Sequence, residues 1–205
     1  AMSDEQDMRR MGGIWKMVPV TYGLMWIGSL ALAGIPPFSG FYSKDIVLEA
    51  AYAAGTPAGR FAFAAGIAAA FLTAFYSWRL LFMTFHGAPR ADEKVMAHVH
   101  ESPLVMIAPL LGLAAGAAFA GLIAYDYFVG EKMASFWGET LKVLPAHDAL
   151  AKAHDVPTWV KLSPLVVAGA GIALAGVFYL LAPSLPAVLA ESYPRLYRFL
   201  LNKWY

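Results

Sequence analysis

Ala33-Gly34-Ile35-Pro36-Pro37-Phe38-Ser39-Gly40-Phe41-Tyr42-Ser43-Lys44-Asp45 lies within a long apolar run, yet it carries two adjacent prolines, two glycines and a lysine beside an aspartate. Paired prolines withhold two amide donors and clash with a regular helix. The backbone is therefore expected to break here. In lipid, such a break is tolerated only where protein or water satisfies the freed backbone groups. A charged pair next to it is costly to bury and marks a functional site.

The rest of the chain supplies the setting. Of its 205 residues 60% are hydrophobic and 14% are charged, where a soluble domain carries about 25% charged residues. The apolar residues fall in runs of membrane-spanning length. The expected fold class is all-α, a polytopic transmembrane helix bundle with one proline-broken helix. The absence of cysteine excludes disulfides, thiolate chemistry and cysteine-ligated clusters in this chain. A net charge of +1 argues against nucleic acid as a partner. Met2 to Arg10 is acidic and polar, so no secretory signal opens the chain. Ala1 precedes Met2 without the look of a start, and Trp204-Tyr205 ends on an amphipathic segment, so the chain reads as a piece of something longer.

Outward from the break, residues 1–14 read as an extramembrane loop, dense in charge at Asp4, Glu5, Asp7, Arg9 and Arg10. Residues 15–128 read as four transmembrane helices: Trp15 to Ala33, the broken span Gly34 to Ala54, Phe61 to Phe85, and Pro103 to Phe128. Within the broken span, Pro36, Pro37 and Gly40 are the expected non-helical stretch. Ser43 is the expected N-cap of the renewed helix. Residues 129–158 form a polar connection with a short surface helix over Met133 to Leu144. Residues 159–183 form a fifth span. Residues 184–205, with Tyr193, Arg195, Tyr197, Arg198 and Lys203 among large apolar side chains, suit an interfacial segment. Five spans place the two ends on opposite sides. The basic residues divide almost evenly between the loops, so they set no orientation.

Lys44 stands about ten residues from either end of its expected span, close to mid-bilayer at about 1.5 Å per residue. One reading is a snorkelling lysine at a membrane edge. The other is a proton-translocating lysine, whose ammonium is disfavoured by desolvation and favoured by a carboxylate neighbour. Asp45 is either that counter-ion or a helix-start residue on the positive end of the dipole. Adjacent helical residues do not face one another. Glu49 reads as an interfacial carboxylate or a supporting charge. Arg79 stays protonated and serves either a structural ion pair or the potential along a polar path. His86, His98 and His100 titrate near neutral pH and either line a proton entrance or sit solvated in loops. His147 and His154 receive no role. No metal-ligand spacing, phosphate loop, nucleophile–base signature or redox-cofactor motif is present. Metal and cofactor sites are therefore not expected in this chain.

Taken together, Glu5-Gln6-Asp7-Met8-Arg9-Arg10-Met11-Gly12-Gly13, Gly28-Ser29-Leu30-Ala31-Leu32-Ala33-Gly34-Ile35-Pro36-Pro37-Phe38 and Gly40-Phe41-Tyr42-Ser43-Lys44-Asp45 resemble subunit L (chain 5) of respiratory complex I, the proton-pumping NADH–quinone oxidoreductase. Tyr76-Ser77-Trp78-Arg79, Phe85-His86-Gly87 and His100-Glu101-Ser102-Pro103 continue the match. The resemblance is carried by motifs over roughly residues 1–125 and by topology beyond. It implies an antiporter-like, inverted-repeat fold, of which this chain would be a C-terminal-half fragment leading towards a lateral helix. It implies that Lys44 is the lysine of the distal half-channel and Asp45 its acidic neighbour. It also implies that NADH, FMN, iron–sulfur clusters and quinone bind other subunits. The partners would be other membrane-arm subunits, especially a neighbouring antiporter-like one, and the lipid bilayer. The location would be a bacterial inner membrane, with residues 1–13 periplasmic and 195–205 cytoplasmic. A multisubunit sodium(potassium)/proton antiporter subunit and a non-transporting membrane scaffold are the two alternatives.

Overall fold

A computed structural model of the chain describes residues 2, 5–141, 143, 144 and 148–204. Asp4 of the expected loop and His147 lie outside the described residues. The described residues form helices and loops. After 3-10 turns at Met8–Arg10 and Ile14–Lys16 come α1 (Pro19–Ala33), α2 (Ser39–Ala53), α3 (Pro57–Phe85) and α4 (Glu93–Met96). Next come α5 (Leu104–Phe128), α6 (Met133–Trp137), α7 (Ala149–Ala153), α8 (Thr158–Gly176), α9 (Leu185–Ser192) and α10 (Pro194–Leu201). A π-helical turn, Val177–Leu181, prolongs α8.

Among the described residues three helices are long and apolar enough to cross a membrane: α3, α5 and α8 with its π turn. Helices α1 and α2 are not. Each has 15 residues, about 22 Å of rise, short of a hydrocarbon core of about 30 Å. Their neighbours show that they act in series. The start of α1 lies against the end of α3, where Tyr22 packs on Phe85 and Trp26 on Trp78. The end of α2 lies against the start of α3, where Tyr52 packs on Phe63. Along α5 the order repeats. Glu101, just before α5, bonds Val20, Ser39 reaches Gly116 and Gly121, and Tyr42 meets Tyr125. Thus α1, the break and α2 make one passage alongside α3 and α5.

This corrects three expectations. The chain threads the bundle four times, not five. Residues 5–13 and α10 therefore lie at the same end of the bundle, and Tyr197 of α10 is close enough to Arg9 to act on it electrostatically. The opposite-sides topology drawn from an odd span count, and the sidedness that the resemblance implied, do not hold. The 34–54 span is also not one helix with an internal break. The break lies at 34–38, between the halves.

The breaks and caps follow from the residues. Pro19 opens α1 at a position that needs no amide. Gly34 closes it in the left-handed region, φ 76°, with Gly34 N donating to Ala31 O and Ile35 N to Leu30 O. That double bond pattern is a Schellman cap. Thr56 caps α3 by accepting from Gly59 N at 3.0 Å, ahead of Pro57. The short surface helix is only Met133–Trp137, because Gly138 turns left-handed at φ 51°. Helix α7, which the sequence does not announce, follows it.

Helix α3 packs most extensively on α8, through small residues. A Cβ on Gly171 would stand 2.5 Å from Phe71 O. The buried core collects Ala74, Trp78, Leu81, Phe82 and Phe85 of α3 with Ala168 and Ala175 of α8 and Val18 and Ala33. Of the three long helices α5 is the most exposed, with Leu104 at 78% and Val105 at 85%. A long helix that leaves its apolar side chains uncovered suits a lipid-facing or subunit-facing position.

Candidate functional site

The site begins with the consequences of the Schellman cap. The cap uses the carbonyls of Leu30 and Ala31 and leaves that of Ala33, the last residue of α1, without a helical partner. Lys44 Nζ donates to Ala33 O. Gly34 leaves room for it, since a Cβ there would lie 2.6 Å from Lys44 Cε and 2.8 Å from Nζ. The ammonium also faces the negative end of the α1 dipole, which favours a cation. A neutral lysine amine keeps two N–H donors, so this anchor survives loss of the proton. The side chain can change charge without losing its position.

Lys44 shares an open cleft with Gly66, Ala69, Ala70 and Thr73 of α3. Helix α3 runs from 57 to 85, so that level is its midpoint. Mid-bundle depth, expected from counting residues in one span, thus arises from two half-length helices meeting there.

Gly40 is helical, contrary to expectation, as the second residue of α2. Its role is close approach, since a Cβ on it would run into the Ala31 carbonyl. Ser43 is not an N-cap. It lies within α2, its hydroxyl 3.3 Å from Ser39 O. Ser39 joins the break to α5, donating to Gly116 O and accepting from Gly121 N, both at 2.8 Å. The Pro36–Pro37 bond is cis.

Asp45 is the seventh residue of α2, so it is not a helix-start residue. It is 7% exposed, and its Oδ1 is buried without a hydrogen-bond partner. It lines a cavity of about 440 Å³ together with Pro36, Glu49, Tyr125, His154 and Lys161. Lys44 and Asp45 therefore face different spaces, one towards α3 and one towards α5 and α8. Among the described residues the ion pairs are Arg9–Asp7 at 2.6 Å and Arg10–Glu5 at 3.6 Å, both in the N-terminal loop. Glu49 lies four residues after Asp45, on the same helix face. Opposite stands Lys161, whose Nζ donates to His154 O at 2.7 Å.

The other candidates are not brought together. Arg79 lies over the Tyr179 ring, 5.7 Å from its centroid, with its Nε buried and unpartnered. His86 stands at the end of α3, its Nε2 2.9 Å from Tyr22 Oη. Fifteen residues of helix, about 22 Å, separate it from the level of Lys44, so it cannot exchange a proton with Lys44 directly. Burial pushes the His86 imidazole below its ordinary value. Among the described residues His98 and His100 bond only nearby backbone carbonyls, of Lys94 and Glu101.

Tyr125, His154 and Lys161 were not legible as site residues. They come from three separate segments, and only the packing of α5, α7 and α8 around α2 joins them. Glu49 beside Asp45 was legible as an i, i+4 pair. Among the described residues no three His, Asp or Glu side chains are grouped to hold a metal.

Residues 1–73 match the family model described as NADH:quinone oxidoreductase/Mrp antiporter, TM. The whole chain is 39% identical, over 271 aligned residues, to NADH-quinone oxidoreductase subunit L of Rhodobacter capsulatus, covering 38% of that protein. It is 40% identical over 208 residues to NADH-ubiquinone oxidoreductase chain 5 of Marchantia polymorpha, covering 31% of it. With chain 5 of Dictyostelium discoideum it shares 42% identity across 87% of its own length and 26% of the relative's. The chain spans about a third of the length of the relatives it matches over its full length.

Proposed function

We propose that this chain, which resembles subunit L and chain 5 of the NADH–quinone oxidoreductases over its whole length, is part of a proton-translocating membrane subunit of that complex, with Lys44 as its proton-carrying residue. The observation that carries the reading is the anchoring of Lys44 on the free carbonyl of Ala33, at the mid-bundle junction of two half-length helices. A fixed, titratable amine at that depth is what a stepwise proton path needs. A scaffold would gain more from an apolar side chain there.

Asp45 supports the site from the far side of α2, and Glu49 extends it. Arg79 sets a fixed positive charge further along α3, and His86 belongs to the bundle end near residues 5–13. NADH, FMN, iron–sulfur clusters and quinone would bind other subunits, and the partners would be other membrane-arm subunits, especially a neighbouring antiporter-like one. The alanine-rich, cysteine-free composition fits the inner membrane of a bacterium. The matching family model also covers multisubunit antiporters, but the full-length relatives are named as NADH oxidoreductases.

The test replaces Lys44 in the assembled complex and measures protons moved per electron. Lys44→Arg keeps the charge but cannot release the proton, so the stoichiometry should fall while NADH oxidation continues. An unchanged ratio in both Lys44→Arg and Lys44→Ala would reject the role. Cation-dependent proton exchange without NADH activity would favour the antiporter reading.

A further inference from the structure

The face of α3 that meets α2 is built of small residues and one hydroxyl. Gly66, Ala69, Ala70 and Thr73 follow at intervals of three and four, so they share a face. All four border the cleft of about 450 Å³ that holds Lys44. Thr73 is the polar side chain that α3 brings to it. The register sets Thr73 level with the lysine amine. Helices α2 and α3 run antiparallel, with Tyr52 on Phe63 and Leu48 against Gly66. One turn back along α2 from Leu48 is Lys44, and one turn on along α3 from Gly66 is Ala70. From there the amine reaches back to Ala33. Ala33 shares the buried core with Ala74, the residue after Thr73.

We propose that Thr73 is a positioning residue for Lys44, its hydroxyl pairing with the amine in both of the lysine's charge states. This deepens the proton-carrier reading, on which it rests, by naming the group that answers each state. An ammonium has three N–H donors; a neutral amine has two and a lone pair. Ala33 O takes one donor in either state. Gaining a proton therefore adds a donor and removes an acceptor on the cleft side, and at this depth each needs a match. A hydroxyl supplies both, because it accepts from the ammonium and donates to the lone pair of the amine. The neighbouring polar groups do not serve. Asp45 lines the separate cavity towards α5 and α8. Ser43 is adjacent to Lys44 on α2, so the two side chains do not face each other, and the Ser43 hydroxyl donates to Ser39 O at 3.3 Å. Glycine and alanine at 66, 69 and 70 offer the amine no polar atom.

The test is competitive acetylation of the assembled complex with acetic anhydride at fixed pH. Mass spectrometry reads the rate at Lys44 against that at Lys94, an exposed lysine of α4. The reagent attacks the free lone pair of a neutral amine, and both pairings with Thr73 withhold it. Thr73→Val keeps the shape of the side chain and removes the hydroxyl. Acetylation of Lys44 should then rise about fivefold, the factor that one ordinary hydrogen bond is worth. Thr73→Ser, which keeps the hydroxyl, should stay at the wild-type rate. In the same preparations protons moved per electron should fall in Thr73→Val and recover in Thr73→Ser. A wild-type acetylation rate in Thr73→Val, or a rate in Thr73→Ser raised as far as in Thr73→Val, would overturn the proposal. Acetylation does not depend on pumping. An unchanged proton ratio in Lys44→Arg would thus reject the carrier role without altering the acetylation series, and a flat acetylation series would reject the pairing and leave the carrier role standing.

Discussion

The ammonium of Lys44 donates to the carbonyl of Ala33, the residue at which α1 ends. Helix termination and charge placement are therefore one event. The Schellman cap at Gly34 consumes two of the four terminal carbonyls, and Lys44, eleven residues after Ala33, takes one of the two it leaves. Neither group would be satisfied at this depth without the other.

Gly34→Ala should displace Lys44. An alanine at φ 76° costs about 1–2 kcal/mol in backbone strain, and its Cβ would lie 2.6 Å from Lys44 Cε. Proton transfer per electron should fall with NADH oxidation retained. In a Lys44→Ala background the same glycine change should destabilise less, because the clash is gone. Equal loss of thermal stability in both backgrounds would show that the lysine contact does not matter.

Ser39→Ala should loosen α2 from α5. The hydroxyl both donates to Gly116 O and accepts from Gly121 N, and each bond contributes about 1 kcal/mol. Gly121→Ala should do more harm, since its Cβ would stand 2.6 Å from Ser39 Cα and 2.7 Å from Tyr42 Cδ2. Faster amide exchange around residues 39–43 is the expected readout, with Gly121→Ala the larger effect.

Glu101 caps a helix that is distant in sequence. Its carboxylate accepts from Val20 N at 2.8 Å and from Thr21 N, Thr21 Oγ and Ser102 N. Desolvation pushes this carboxyl up, but the hydrogen bonds outweigh it and hold it below the ordinary value. A depressed folded value means that the stabilisation is complete above the unfolded value and is lost as pH falls through the folded one. Glu101→Gln should expose the Val20 and Thr21 amides to exchange at neutral pH, costing about 1 kcal/mol as cap losses do, less whatever solvent screening removes. The wild type should show the same exposure only in acid. Identical exchange in the two proteins at neutral pH would refute the cap.

His86 ties the N-terminal loop to the end of α3, through Gly13 N to His86 O at 3.2 Å and the ring to Tyr22. Burial lowers its value, so the folded state prefers the neutral ring. This stabilisation is present above the unfolded value of about 6.5 and is lost as pH falls through the folded value. As pH falls through the lowered folded value the loop over residues 5–13 should become more sensitive to proteolysis, and His86→Gln should flatten that pH dependence. An unchanged pH profile would remove His86 from the anchor.

The sequence alone determined the fold class, because composition and apolar run length decide whether a chain can live in lipid. It located the break, because paired prolines cannot continue a helix, and it singled out Lys44 and Asp45, because buried charge is expensive. It did not determine how the break is used. Counting apolar residues cannot tell two full spans from two half-spans in series, so five expected spans became four passages among the described residues, and residues 5–13 and α10 came to the same end of the bundle. Nor did it reveal that Lys44 and Asp45 look into different spaces, or that Tyr125, His154 and Lys161 join Asp45 and Glu49. Helix periodicity fixes which residues share a face. Only the packing of α3, α5, α7 and α8 around α2 decides what each face meets.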